Sequence, residues 1–256
     1  MRPFLRTLPG LVLFSVCIGG PGAAAAQIVT DRPDFVESSS TVGPRVLQVE
    51  TSVAMTRADG AEEWSTPTLI RLGLGAVWEL RLEGPGYVHV RGPVAESGLG
   101  DVSAGVKLHA LAPESPALPS VGILLHADLP TGSRGVSQSG VRPSLRVVGE
   151  WTLDPRLALG IMAGIRSERA GSARFSSGIL GLVLGQTWSG TLRTYTELAL
   201  PQMAGDANGG VVGLVNVGAA LLLGEDGQVD VGFGLPITSQ APEVMIGLGF
   251  SHRFRF

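Results

Sequence analysis

The chain has 256 residues, one cysteine and 37 glycines, and 22 acidic residues outnumber 19 basic ones for a net charge of −3. That length suits one large β domain or two small ones, and the acidic balance lacks the basic stripe on which nucleic-acid binding usually rests. Mean hydropathy is high, +0.30, yet no run approaches the ~18 apolar residues of a spanning helix. Apolarity this dispersed satisfies every backbone group in lipid only as a closed barrel.

The first 26 residues read as a cleaved export signal. Arg2 and Arg6 form a positive head, Leu8 to Ile18 an apolar stretch, and Ala24-Ala25-Ala26 a small-residue cleavage site. Cys17 lies inside that stretch, so the mature chain is expected to carry no thiol, no disulfide and no thiolate metal site. Residues 27–44 follow, with Pro33, Pro44 and Ser38-Ser39-Ser40. Their composition predicts an irregular segment, either in the periplasm or folded into a lumen.

From residue 45 onward, alternation with period two dominates. Twelve strands are predicted, at 45–56, 66–74, 77–88, 98–111, 119–129, 141–153, 156–166, 174–188, 191–200, 209–223, 227–235 and 242–256. Most exceed the ~5–6 residues of a globular strand and match a tilted bilayer crossing of ~9–11. The gaps 57–65, 89–97, 130–140, 167–173, 201–208 and 236–241 are long. Those between them are short, except 112–118. Short periplasmic turns and longer extracellular loops mark an up-and-down outer-membrane barrel with both ends on the short-turn side.

The two faces differ in chemistry. Trp78, Leu80 and Leu82 alternate with Glu79, Arg81 and Glu83, and Leu145 and Val147 alternate with Arg146 and Glu150. Val102, Ala104, Val106 and Leu108 oppose Lys107 and His109. A soluble barrel would alternate likewise with its apolar face inward; export, strand length and loop pattern favour lipid outside. The predicted inward set is Glu50, Arg71, Glu79, Arg81, Lys107, Arg146, Glu150, Arg193, Glu197, Asp230, Arg253 and Arg255. Trp78, Trp151, Trp188, Phe254 and Phe256 share the apolar parity near the short-turn side, which predicts an aromatic girdle at one interface. The tail VMIGLGFSHRFRF, 244–256, is thus the closing strand, aromatics to lipid and arginines to the lumen.

Several segments resemble one family of outer-membrane proteins. TDRPDFVESSSTVG at 30–43 is the most specific, joined by LQVE at 47–50, PTLIRLGL at 67–74, ELRL at 79–82, GLGDVSAGVKL at 98–108 and LPTG at 129–132. That family is labelled for a MetA pathway of phenol degradation, and its members are often named simply transporters. The resemblance covers roughly 30–256. It implies a passive outer-membrane channel for small solutes, with aromatic or hydrophobic ones suggested by the label. It also suggests that Asp31, Arg32 and Asp34 touch the lumen or its periplasmic mouth. The terminal Phe256 resembles the signal read by the barrel-assembly machinery of Gram-negative bacteria.

Charges of both signs facing a narrow lumen must pair or stay hydrated. They could line a solute path, or they could be a salt-bridged filling that only stiffens a non-conducting barrel. A lumen hydrolase is the third reading: His126 and Asp128 share a face with His109, and Ser103 is a nucleophile by parity alone. No GxSxG elbow, metal-ligand spacing or nucleotide fingerprint accompanies them. No catalytic residue, metal or cofactor is therefore expected. The expected partners are outer-membrane lipid, the assembly machinery and an unidentified small solute.

Overall fold

Period two sends Leu80 and Arg81 to opposite faces of one strand. Leu80 is 41% exposed on the outside, whereas Arg81 is 2% exposed within. The same division holds throughout the computed structural model, which describes residues 27–256 apart from positions 94, 171 and 172. The export segment read at 1–26, with Cys17, lies outside the described residues.

The strands are β1 (Val46–Ala58), β2 (Ala61–Ser65), β3 (Thr68–Gly73), β4 (Trp78–Gly84), β5 (Tyr87–Arg91), β6 (Glu96–Leu99), β7 (Val102–Leu111), β8 (Ser120–Leu129), β9 (Arg142–Asp154), β10 (Leu157–Ala170), β11 (Ala173–Thr187), β12 (Leu192–Met203), β13 (Val211–Leu223), β14 (Gly227–Pro236) and β15 (Val244–Arg255). Three barrel strands are each in two pieces. β1 pairs with both β2 and β3, β5 pairs with β2, and β4 with β3. β6 and β7 then pair with β5 and β4. The ribbon closes where β15 meets β1, from Val46↔Arg255 to Arg57↔Val244. The result is a closed antiparallel barrel of twelve strands; β6, above the closed wall, has a strand partner on one side, β5.

Three sequence expectations change. Segments 57–65 and 167–173, read as loops, are mostly strand: β1 and β2 join through Asp59-Gly60, and β10 runs to Ala170. Asp59 and Gly60 both adopt positive φ, 50° and 73°, the two-residue turn that matches strand twist. Much of 89–97 is likewise β5 and β6. The polar residues there are strand rising above the apolar band, so loop length alternates less cleanly than the sequence suggests. The longest connection, 130–141, lies with 204–210 and 237–243 at the end opposite Val46 and Arg255, while 112–119 is the one longer connection at the other end. The short-turn pattern of outer-membrane barrels makes the former end extracellular.

The wall is interrupted at one level in three neighbouring strands, at Thr66-Pro67, Pro85-Gly86 and Gly100-Asp101. Pro67 and Pro85 have no N–H to give the ladder. Thr66 N donates to Pro85 O at 3.0 Å, and Gly100 N to Gly86 O at 2.8 Å. Gly100 is required here: a Cβ would stand 2.1 Å from the Pro85 ring.

The outer face is apolar along the strands, including Leu82, Leu125, Val147 and Leu248, the last 66% exposed. Trp78, Trp188, Phe254 and Phe256 are exposed at the short-turn end. Trp151 belongs to the same ring, half-buried and opposite Leu159 in the β9–β10 register. Trp64 and Tyr87 stand exposed on the outer surface nearer the other end.

Candidate functional site

Residues 27–44 do not lie outside the barrel; they thread its lumen between two chemically different walls. Against β1, β3, β4 and β7 the contacts are ionic. The Asp31 carboxylate lies 2.6 Å from Arg81, 2.7 Å from Lys107 and 3.5 Å from Arg71. Its other oxygen accepts from the Ser38 backbone N–H and hydroxyl. Glu37 pairs with Arg81 at 2.8 Å and with Arg146. Glu79 bridges Arg71 and Arg81 and accepts from the Val42 N–H at 2.9 Å. Glu50 pairs with Arg71 at 3.0 Å and accepts from the Asp31 N–H.

Arg71, Arg81, Lys107, Glu50 and Glu79 are each at most 2% exposed. Charges buried this deeply persist because each has opposite charge and further hydrogen bonds. Lys107 also donates to the Ser38 carbonyl, and Arg71 to those of Val29 and Ser40. The cations of the wall thus grip both the side chains and the backbone of the segment.

Against β8, β9, β10 and β11 the contacts are mainly apolar, with Arg146 and Glu150 of β9 the charged exceptions. Val36 enters a buried cluster with Leu124, Val148, Met162, Ile179 and Val183, and Phe35 and Tyr195 pack on it. Burying one such aliphatic side chain is worth ~1.5–3 kcal/mol. Glycines make the room: a Cβ on Gly181 would lie 2.5 Å from Val36 Cγ2, and one on Gly122 2.9 Å from Ser39 Cα. Glu197 accepts the Phe35 and Val36 N–H groups at 2.9 and 2.7 Å, which fixes the register of the segment. Ser39 N–H donates to Glu150, and Arg32 pairs with Asp230 at 3.2 Å.

Of the inward residues expected from sequence, Glu50, Arg71, Glu79, Arg81, Lys107, Arg146, Glu150, Glu197 and Asp230 converge on this segment. Arg193 touches its start, donating to Gln27 at 3.0 Å. Arg253 and Arg255 sit apart at the periplasmic rim, where both pair with Asp226 in the β13–β14 turn. Sequence reasoning missed the inward apolar wall, because Leu124, Val148, Met162 and Val183 sit in strands whose outer face is also apolar. A usable signal was the inward parity of Gly122, Gly160 and Gly181, which leaves space beside those side chains.

The hydrolase arrangement is not assembled. His126 Nδ1 lies 2.8 Å from Glu83, while Asp128 pairs with Arg142 at 3.3 Å, not with His126. His109 Nδ1 lies 2.9 Å from the Ser39 carbonyl oxygen and so donates to the segment.

Two larger cavities and one small one flank the segment, the small one, of about 190 Å³, at Arg32 and Pro33. Of the larger two, one, of about 570 Å³, faces the extracellular side and is lined by Asp34, Phe35, Glu37, Arg142 and Arg146, reaching the wall break at Pro67, Pro85 and Gly100. The other, of about 520 Å³, reaches the periplasmic turn at Pro155 and Arg156 and is lined by Glu150, Arg193 and Tyr195. Arg32 and Asp34 line both. Asp34 forms no hydrogen bond or ion pair with another side chain among the described residues. Burial, then the carboxylates of Glu197, Asp31 and Glu150, push its acid well above the usual range.

Fold and site together define a transmembrane β-barrel with an internal segment between two vestibules. The chain belongs to the family described as "Putative MetA-pathway of phenol degradation", whose sequence model matches residues 30–254. Its fold is similar to that of the COG4313 outer membrane channel from Pseudomonas putida F1, at 16% identity, a TM-score of 0.62, and coverage of 87% of this chain and 99% of that one. The translocator domain of the autotransporter NalP from Neisseria meningitidis also aligns, at 12% identity and a TM-score of 0.48 over 82% of this chain and 87% of that one. No curated protein sequence matches this chain.

Proposed function

We propose that this protein is exported to the bacterial outer membrane and serves as a passive channel for uptake of small solutes, with residues 27–44 closing its lumen. The observation that carries this reading is the pair of vestibules meeting at Arg32 and Asp34 across a single segment. Chambers of ~300–1,000 Å³ suit small molecules. Their lining mixes ionic groups with Phe35 and Tyr195, which suits small aromatic compounds carrying a polar group. The exposed Phe256 at the end of the closing strand is the group we assign to recognition by the barrel-assembly machinery. No catalytic step is assigned.

A second reading, a non-conducting barrel stiffened by its ionic filling, draws on the completeness of the Asp31–Arg71–Arg81–Lys107 network. Swelling of proteoliposomes with small solutes of graded size, aromatic acids and alcohols among them, separates the two. The channel reading expects solute-dependent swelling that changes in Arg146→Ala, since Arg146 links Glu37 of the segment to the wall. Rates equal to those of protein-free vesicles for every solute favour the stiffened barrel.

A further inference from the structure

The outer surface carries a feature that neither transport nor the lumen accounts for. Arg169 on β10 and Arg174 on β11 are direct cross-strand partners. Both lie on the outward parity: the same register pairs Ala163 with Leu180 and Ile161 with Leu182, and Ile165, Leu180 and Leu182 are exposed. Like charges facing each other in a ladder repel, and neither guanidinium has a carboxylate partner among the described residues. Nearby Glu168, of opposite parity, faces inward and pairs with Arg142 and Arg166.

Arg174 is nonetheless held in place, and Arg169 is half-buried beside it. Arg174 Nη1 donates to the Val141 carbonyl at 3.1 Å and to the Ser167 hydroxyl at 3.2 Å. Arg169 lies over Gly140, whose added Cβ would stand 2.3 Å from Nη1; Gly140 also has a positive φ, 74°. Arg169 Nε is buried without a hydrogen-bond partner. Val141 lies exposed beside the pair, and below it the surface turns apolar at Leu145 and Ile165.

We infer that Arg169 and Arg174 form a site for a phosphate group of an outer-leaflet glycolipid. Two neighbouring guanidiniums, one of them with an unsatisfied buried N–H, match the paired oxygens of a phosphate monoester. Their height, directly above the apolar band at the extracellular end, is where the phosphate of a lipid lies while its acyl chains cover Leu145 and Ile165. A free anion would gain nothing from that apolar apron, so the lipid is the chosen source.

The test uses the purified full-length protein in detergent, with lipid bound by native mass spectrometry. The probes are bisphosphorylated lipid A, its enzymatically dephosphorylated form and inorganic phosphate. Wild type is expected to prefer the phosphorylated lipid by roughly tenfold or more, since each basic residue near an anionic headgroup is worth about 1 kcal/mol. Arg169→Gln/Arg174→Gln is expected to lose that preference, whereas Arg169→Lys/Arg174→Lys keeps part of it. Folding of each variant is checked by the heat-modifiable gel shift of an intact barrel. Equal binding of both lipids to wild type, an unchanged preference in the folded glutamine variant, or full competition by millimolar inorganic phosphate would each overturn the assignment.

Discussion

The carboxylate of Asp31 stands 2.6 Å from the guanidinium of Arg81, deep inside the barrel and more than a strand's length away in sequence. Asp31 is shared with Lys107 and Arg71, so it is the point at which the segment is fastened to the wall. Asp31→Asn removes the common counter-charge of three buried cations. Breaking a buried pair in this way costs ~3–5 kcal/mol. The barrel itself keeps its ladder, so the loss is expected as release of the segment. Limited proteolysis should then cut within 27–44 in the variant while wild type resists.

The apolar seat makes a separate prediction. Gly181→Val places methyl groups where Val36 now packs, and overfilling a close-packed site costs ~1–3 kcal/mol. The variant should show the same protease sensitivity as Asp31→Asn with every charge intact. Val36→Ala in the same background should restore part of the protection by vacating that volume.

The two aspartates of the segment respond oppositely to pH. Burial raises the Asp31 acid, but Arg71, Lys107 and Arg81 together hold it well below 3.8. Its contribution is therefore present above the unfolded value and lost only as pH falls through the depressed folded one. Asp34 is the reverse, raised well above 3.8. Its contribution is complete below the unfolded value and is lost as pH rises through the folded one. Protection of the segment should thus decline on going upward from about pH 3.8, and Asp34→Asn should flatten that decline. Hydrogen exchange of the Phe35 and Val36 amides across this range reads it directly.

The outer face is tested by Val147→Arg, in the middle of β9 and 43% exposed. A cation facing the hydrocarbon near the bilayer centre costs ~2–4 kcal/mol. Refolding into lipid vesicles should be impaired by that amount, seen as a lower midpoint in urea. An unaffected midpoint would mean that Val147 does not face lipid.

The barrel was legible because its two faces carry different physics. One slip of register would place Arg81 in hydrocarbon and Leu80 in the lumen, so the alternation leaves a single choice in β4, β7 and β9. The ionic half of the site was legible for the same reason, since Glu79, Arg81 and Lys107 could only point inward. The apolar half was not, because inward Val148 and outward Val147 are adjacent and alike. The course of 27–44 was also hidden: its partners are spread from Glu50 to Asp230, and no local pattern encodes contacts at that separation.

The central claim is that residues 27–44 close the lumen of a channel. Single-channel recording in planar bilayers tests it most directly, comparing residues 27–256 with a variant lacking 27–44. The account predicts small conductance for the first and a conductance several times larger for the second. Equal conductance in two correctly folded proteins would contradict it.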